Sequence, residues 1–121
     1  MSVTYGIDLN SATSYDYTTD YSGYFESPIY QVGTPLQPRQ FTELEFQLAK
    51  ELATGEGIQI KYRVNLTDSF TTIGTYTYTS LGAVTSHNAV ADIPACEFIQ
   101  VRVELNGTAT TTPQFKYLTL K

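Results

Sequence analysis

The chain has 121 residues and a net charge of −5, and only 16% of its residues are charged, while 41% are hydrophobic. This length fits one domain with a real core. The seven basic residues are scattered, which excludes the lysine and arginine clusters that nucleic acids and anionic membranes require. No stretch approaches the roughly 20 apolar residues of a transmembrane helix. The single cysteine, Cys96, excludes an intrachain disulfide and a thiol-rich metal site.

The N-terminal segment, residues 1–22, is polar and aromatic and has no clear period. Tyr5, Tyr15, Tyr17 and Tyr21 stand among serine, threonine and aspartate and have few aliphatic companions. Such a segment alone buries too little apolar area to offset its ordering entropy. We therefore predict an arm that packs on its own domain or on a neighbouring subunit, while the domain behind it folds without its help. The segment also lacks the basic and apolar regions of a signal peptide, so we expect synthesis in a cytoplasm.

The first strand is predicted over residues 24–32. Pro28 within it indicates an edge position or a bulge, because proline cannot donate to a strand ladder. The following stretch, GTPLQPRQ, is predicted to be a loop, because its glycine and two prolines disfavour regular secondary structure.

The stretch FTELEFQLAKELATGEG fits two structures. A capping box at Thr42 and Glu45, followed by a leucine stripe, favours a helix. The alternation of apolar and polar residues in FTELEFQL favours a strand. Phe46 decides between them, because in a helix it would lie among the carboxylates, opposite the leucines. We predict a strand over residues 41–48, then a turn or a single helical turn through Ala53.

Alternation is clearest in IQIKYRVN and FIQVRVEL, which are typical of strands with one buried face. Phe70 follows the polar turn NLTDS and is the only bulky apolar residue between Leu66 and Ile73, so we predict that it anchors the core. Further strands are predicted for the run GTYTYTS and for residues 84–89 and 115–120.

About six to eight short strands, spaced by roughly 10–15 residues and joined by polar turns, indicate a sandwich or a barrel. Without a helix long enough for a parallel crossover, the sheets should be antiparallel. We predict an all-β fold: a jelly-roll-like, two-sheet β-sandwich over residues 23–121, with at most one short helix, preceded by the N-terminal arm of residues 1–22.

The sequence offers no convincing catalytic site, and we expect that the chain is not an enzyme. His87, the only histidine, lies in TSHNAV without a nucleophile motif around it, and we interpret it as a surface or turn residue. Glu43 and Glu45 share one strand face at a spacing that glycoside hydrolysis can use. A solvated polar face gives the same pattern, and no apolar pocket is predicted that would raise a carboxyl pKa.

No cofactor is expected either. Asp8, Asp16 and Asp20 lie in an oxygen-rich segment, where a structural calcium is the alternative to ordinary loop aspartates. Their spacing does not match an EF-hand loop. Cys96, at the entry to an apolar strand, is interpreted as a buried and inert thiol.

Tyrosines are the remaining candidates for an interaction site. Tyr76 and Tyr78 share one face of the predicted strand by period two, although core packing would also explain such a pair. A tyrosine ring offers a flat apolar face and a hydroxyl, which suits protein interfaces and sugar stacking. The candidate interaction residues are Tyr5, Tyr15, Tyr17, Tyr21, Tyr76 and Tyr78.

Three stretches of residues 23–121 carry a resemblance to known proteins: GYFESPIYQVG, FTELEFQLAKELATGEGIQIKYRVNLTDSFTTIGTYT and EFIQVRVELNGTATTTPQFKYLTLK. They resemble modules of tailed-bacteriophage structural proteins. The middle stretch is also similar to galactose-binding-type jelly rolls and carbohydrate-binding modules, in which a strand bearing Tyr-Arg leads through an Asp-Ser turn to a buried aromatic and an Ile-Gly pair. The matching residues here are Tyr62, Arg63, Asp68, Ser69, Phe70, Ile73 and Gly74.

The resemblance implies a virion structural protein: a capsid decoration, head-fibre or tail component. It would be made in the host cytoplasm, would form a homo-oligomer and would contact other virion proteins. The alternative is a carbohydrate-binding module or receptor-binding tip that takes a cell-surface glycan, although the absence of tryptophan counts against it. The motifs mark a fold more than an activity.

Overall fold

A computed structural model describes residues 3–6, 23–108 and 110–121, with the backbone alone for the first of these ranges. Nine strands and one helix occur in this part of the chain, and all strand pairs are antiparallel. They are β1 (Val3–Gly6), β2 (Gly23–Glu26), β3 (Tyr30–Gln31), β4 (Arg39–Leu48), β5 (Gly57–Arg63), β6 (Thr71–Thr77), α1 (Tyr78–Leu81), β7 (Ser86–Cys96), β8 (Phe98–Asn106) and β9 (Phe115–Leu120).

The strands form two sheets. The first has the order β1-β9-β4-β7 and the second the order β2-β8-β5-β6, in which β3 also pairs with β8. The short strands β2 and β3 are therefore two pieces of one edge strand, interrupted around Pro28. The chain changes sheet at every connection except β2–β3 and β5–β6, which is the connectivity of a jelly roll. The predicted antiparallel two-sheet sandwich is confirmed.

The stretch that fitted two structures is a strand. β4 runs from Arg39 to Leu48, with Phe46 fully buried and in register with Leu118 of β9 and His87 of β7. The predicted strand is confirmed and extends two residues further back. Bends at residues 49–50 and a turn at residues 54–55 follow it, rather than a helical turn, before the chain enters β5 of the second sheet.

Glu56 closes the crossing loop between β4 and β5. Its backbone N–H donates to the Ala53 carbonyl at 2.9 Å, and its Oε1 accepts the Ala53 N–H at 2.6 Å. Leu52, within the same loop, is 2% exposed and extends the core beneath it.

The core lies between the two sheets and draws mainly on the four central strands. The alternation in β5 and β8 turns their isoleucine, valine and leucine side chains inward, and each such burial contributes about 1.5–3 kcal/mol. The buried apolar residues are Val32, Phe41, Leu44, Phe46, Leu48, Leu52, Ile58, Ile60, Ala91, Ile93, Cys96, Ile99, Val101, Val103, Leu105, Phe115, Leu118 and Leu120.

The run GTYTYTS is only partly a strand. β6 ends at Thr77, whose Oγ1 accepts the Ser80 N–H at 3.3 Å while the Ser80 Oγ accepts the Thr77 N–H at 2.8 Å. This capping box starts the short helix α1, which carries the chain to the first sheet. β7 then spans eleven residues, and it begins two residues later and ends seven residues later than the predicted 84–89 strand.

The sandwich has two ends. The hairpin end carries the β5–β6 turn (residues 64–70), the interruption between β2 and β3, and Glu97. The opposite end carries the β4–β5 loop and the segment that joins β8 to β9.

Part of the predicted arm belongs to the first sheet. Val3–Gly6 form β1, and Tyr5 stands opposite Leu118 of β9. Asp8, Asp16, Asp20, Tyr15, Tyr17 and Tyr21 lie outside the described residues. Whether the domain folds without residues 1–22 stays a prediction.

Candidate functional site

The outer face of the second sheet carries charged side chains in cross-strand pairs. Lys61 Nζ lies 3.1 Å from Glu104 Oε1, and Arg102 Nη1 lies 3.5 Å from Glu104 Oε2. Arg102 Nε also lies 3.4 Å from Glu26 Oε1 on the edge strand β2. Ion pairs near the surface contribute only about 0–1 kcal/mol each. Their main effect is to fix where the guanidinium of Arg102 lies on this face.

Two aromatic rings, those of Tyr24 and Phe70, flank the guanidinium groups of Arg102 and Arg63 on this face. Arg102 Cζ lies 3.7 Å from the Tyr24 ring centroid and 5.2 Å from that of Phe70, and Arg63 Cζ lies 4.5 Å from the Phe70 centroid. All three distances fall within the roughly 6 Å over which a cation attracts an aromatic ring. The four residues form a continuous series, Tyr24, Arg102, Phe70 and Arg63, which we term the arginine–aromatic row.

The structure corrects the prediction for Phe70. This side chain is only partly buried, and it packs against two guanidinium groups on the outer face rather than in the core. The chain leaves the turn and enters β6 one residue later, at Thr71, so Phe70 does not take an inward position in the strand. The sequence does contain a signal for the contact: a short hairpin turn brings Arg63, at the end of β5, beside Phe70, just before β6.

Arg63 also fixes the hairpin turn. Its Nε donates to Gln100 Oε1 at 2.9 Å, and its Nη1 donates to the Leu66 carbonyl at 3.0 Å. The Asp68 N–H donates to the Asn65 carbonyl at 3.1 Å, as the polar turn predicted from NLTDS requires. The arginine therefore links the row to the backbone of the turn.

A groove opens beside this turn, at the hairpin end of the sandwich. Its volume is about 400 Å³, within the roughly 300–1,000 Å³ of ordinary ligand sites. Its walls include three half-exposed apolar side chains: Leu66 is 62% exposed, Ile29 46% and Phe98 42%. We term this feature the end groove; its lining residues are Ile29, Arg63, Val64, Asn65, Leu66, Thr67, Phe98, Ile99 and Gln100.

The end groove and the arginine–aromatic row are one continuous surface, because Arg63 belongs to both. Arg63 is also the one charged residue that lines the groove. The surface therefore offers an apolar depression with a single cation at its border. Such a surface can accept an apolar or aromatic side chain next to a negative charge, but it presents no nucleophile with an adjacent base.

A second aromatic group lies between the sheets. The Phe46 ring centroid is 4.9 Å from that of Tyr76, 5.6 Å from that of His87 and 6.0 Å from that of Phe115, and Tyr76 and His87 are 5.2 Å apart. We term these four residues the interior aromatic cluster. His87 lies within β7 and is partly buried, which corrects its interpretation as a surface or turn residue.

The two predicted tyrosines of β6 do not share a strand face. Tyr76 packs into the interior aromatic cluster, and burial raises the pKa of its hydroxyl above the ordinary value. Tyr78 follows the strand, begins α1 and is 47% exposed. Core packing thus accounts for Tyr76. An interaction role for Tyr5, Tyr15, Tyr17, Tyr21 and Tyr78 stays a prediction.

The remaining candidate residues occupy ordinary structural positions. Glu43 and Glu45 lie on the outer face of β4, where Glu45 Oε2 pairs with Lys121 Nζ at 2.9 Å. Cys96 is 6% exposed, and burial raises the pKa of its thiol, as expected for an inert cysteine. Within residues 3–6, 23–108 and 110–121, no group of three or more histidine, cysteine, aspartate or glutamate side chains is placed to hold a metal. In the same ranges, no helix is long and apolar enough to cross a membrane.

Comparison with models of known protein families finds no match to this chain. Comparison with curated proteins finds no significant match either. The resemblance to bacteriophage modules and carbohydrate-binding modules therefore stays a prediction from the residues quoted above.

Proposed function

We propose that this chain is a non-enzymatic structural protein of a bacteriophage virion, a capsid decoration, head-fibre or tail component, which acts through protein–protein contacts. It is made in the host cytoplasm and joins other virion proteins as a homo-oligomer. The jelly-roll connectivity agrees with this proposal by analogy of fold, since jelly rolls are common in viral capsid domains as well as in lectins.

The observation that carries the assembly role is the end groove. Leu66, Ile29 and Phe98 expose apolar surface together around one depression, whereas isolated exposed apolar residues are normal on any protein. A contiguous apolar depression with a polar border has the composition of a protein interface.

The alternative function is glycan binding by a carbohydrate-binding module or receptor-binding tip. The outer face of the second sheet favours it, because Tyr24, Arg63 and Gln100 supply an aromatic ring and hydrogen-bonding groups there. Sugar stacking, however, needs a free aromatic face. In the arginine–aromatic row, guanidinium groups already cover part of the rings of Tyr24 and Phe70, which leaves less free aromatic surface than a sugar site uses, although Tyr24 is 46% exposed. Protein–protein assembly is therefore the function that this surface supports best.

The proposal is tested in the phage genome that encodes the chain, by tagging the chain at its C-terminus and separating particles on a density gradient. We expect the tag to sediment with assembled particles. A tag found only in the soluble fraction, with particles of normal composition, would overturn the virion role. Binding of the purified chain to a glycan array, lost in Tyr24→Ala, would favour the alternative.

A further inference from the structure

We propose that the end groove receives the acidic, tyrosine-rich segment of a second copy of this chain, residues 7–22. The inference rests on the proposed assembly function and names the partner that the groove takes. The groove itself consists of described residues, and the chemistry and the length of residues 7–22 point to this occupant.

The groove selects for an apolar or aromatic side chain beside a carboxylate. Leu66, Ile29 and Phe98 supply the apolar walls, and Arg63 supplies the one charge among the lining residues. Hydrogen bonds to Gln100 and to the turn hold the arginine in place. Its charge is therefore fixed at the border of the groove before any partner arrives, which reduces the ordering cost of binding.

The segment of residues 7–22 has the matching composition. It contains three aspartates and no lysine or arginine, so it carries a charge of opposite sign to that of Arg63. Each tyrosine in it adjoins an aspartate, in the sequences Tyr15-Asp16-Tyr17 and Asp20-Tyr21. Tyrosine suits such an anchor because it buries a large ring, loses few rotors and keeps its hydroxyl at the wet rim.

Strand register shows that both attachment points of this segment are far from the groove. In the first sheet, Gly6 of β1 stands opposite Tyr117 of β9, which in turn stands opposite Gln47 near the end of β4. In the second sheet, Gly23 of β2 stands opposite Leu105 near the end of β8. Both glycines therefore lie at the opposite end of the sandwich. Phe98, in the groove, is seven residues from Leu105 along β8, a distance of about 23 Å at roughly 3.3 Å per residue.

This distance favours a second copy over the same chain. To reach its own groove and return, the segment would cover about 46 Å, and sixteen residues span at most about 53–58 Å when fully extended. Even fully extended, only its centre, about residues 13–16, would arrive, so Tyr15 alone could reach the groove and Tyr17 and Tyr21 would be excluded. A neighbouring molecule that brings its opposite end near the groove meets no such limit.

The test uses the full-length chain in sedimentation velocity over a range of concentrations. Leu66→Glu removes an apolar wall of the groove and places a carboxylate there, which repels the acidic segment of residues 7–22. Self-association should therefore weaken about tenfold or more. Val90→Glu is the matched control: Val90 is 85% exposed on β7 of the other sheet, and the substitution adds the same charge. It should associate like the unmodified chain. Circular dichroism checks that both variants are folded.

A complementation experiment identifies the occupant. The double variant Asp16→Lys with Asp20→Lys keeps an intact groove but carries a segment of reversed charge, so alone it should also associate weakly. When it is mixed with Leu66→Glu, the intact segment of one protein can enter the intact groove of the other. We expect the mixture to regain association that neither variant shows alone.

Several results would overturn the inference. They are a chain that stays monomeric at all concentrations, equal association of Leu66→Glu and Val90→Glu, or a mixture that regains nothing. A glycan that binds at Leu66 while the chain remains monomeric would also overturn it and assign the groove to sugar. None of these results touches the presence of the chain in particles, which the density gradient measures, so the virion role and the assignment of the groove fail separately.

Discussion

The interior aromatic cluster and the arginine–aromatic row are built from the same kind of residue but are stabilised differently. In the cluster, rings contact other rings between the sheets, and Phe46 at its centre is fully buried. In the row, rings alternate with guanidinium groups on an outer face that water reaches. The cluster gains its energy from burial and shape, whereas the row gains it from weak cation–ring and ionic contacts.

This difference indicates separate tasks for the two regions. Close packing makes the cluster rigid and intolerant of substitution, because interiors have few voids and relax only partly. The row tolerates change, because each of its contacts contributes little to the free energy of unfolding. A surface that must recognise a partner can therefore use the row and the adjoining end groove without endangering the fold.

The largest expected effect is at the centre of the cluster. Phe46→Ala should lower the free energy of unfolding by about 3–5 kcal/mol, since it removes a buried ring and leaves a cavity between three aromatic neighbours. Urea denaturation followed by circular dichroism measures the loss. A loss below about 1 kcal/mol would mean that the cluster is not close-packed, and the contrast between the two regions would disappear.

Gly74 tests how tightly the edge of the cluster is packed. A Cβ at this position would lie 2.5 Å from the Tyr76 Oη and 2.8 Å from its Cζ, because the tyrosine ring folds back over the glycine two residues earlier on the same face. Gly74→Ala should therefore displace the ring and cost about 1–3 kcal/mol. Thr75→Ala, at the next and outward-facing position, is the control and should cost less. Equal losses for the two variants would show that the ring moves freely.

The cluster was partly predictable from the sequence, and the reason is its periodicity. Phe46 decided between strand and helix for its segment because only a strand puts it on the same face as the leucines, and the structure confirms the strand. Period two failed at Tyr78, because Thr77 and Ser80 form a capping box that ends the strand. Local hydrogen bonds made by threonine and serine side chains compete with the hydrogen bonds between strands. The spacing of apolar residues in the sequence does not reveal this competition.

The row was not predictable in the same way. Phe70 looks like a core residue when only its polar neighbours in sequence are considered. The contact with Arg63 spans a short hairpin turn, but the second partner, Arg102, comes from β8, and neighbours across strands depend on the register between strands. The end groove has the same origin, since Ile29, Leu66 and Phe98 meet only when three separate connections reach one end of the sandwich.

Phe70 supplies the counterpart to the Phe46 measurement. Phe70→Ala should cost only about 1–2 kcal/mol, because it removes two cation–ring contacts worth roughly 0.5–1 kcal/mol each and leaves no closed cavity. Phe70→Leu, which keeps apolar volume but loses the ring, should recover little of this loss. The same denaturation assay applies. A loss of 3 kcal/mol or more would mean that Phe70 contributes as much to stability as a core residue. The arginine–aromatic row and the interior aromatic cluster would then not differ in how they are stabilised.

The smallest effect is a dependence of stability on alkaline pH that comes from Tyr76. Burial raises the pKa of its hydroxyl above the ordinary 10.0, because the charged phenolate is poorly solvated between the sheets. Below pH 10 the hydroxyl is protonated in the folded and unfolded chains, so its contribution is fully present. As pH rises further, the unfolded chain loses this proton first, and the contribution is lost as pH passes through the folded pKa.

Tyr76→Phe should therefore flatten the decline of the denaturation midpoint above pH 10. Burial also raises the pKa of the Cys96 thiol above its ordinary 9.0, which adds a decline of the same sign. The substitution Cys96→Ala is therefore made both in the unmodified chain and in the Tyr76→Phe variant before their slopes are compared. Tyr78→Phe removes a hydroxyl from an exposed ring and is the matched control. If Tyr76→Phe keeps the full slope between pH 10 and 11, Tyr76 ionises equally in both states, and its ring is not held in the cluster as described.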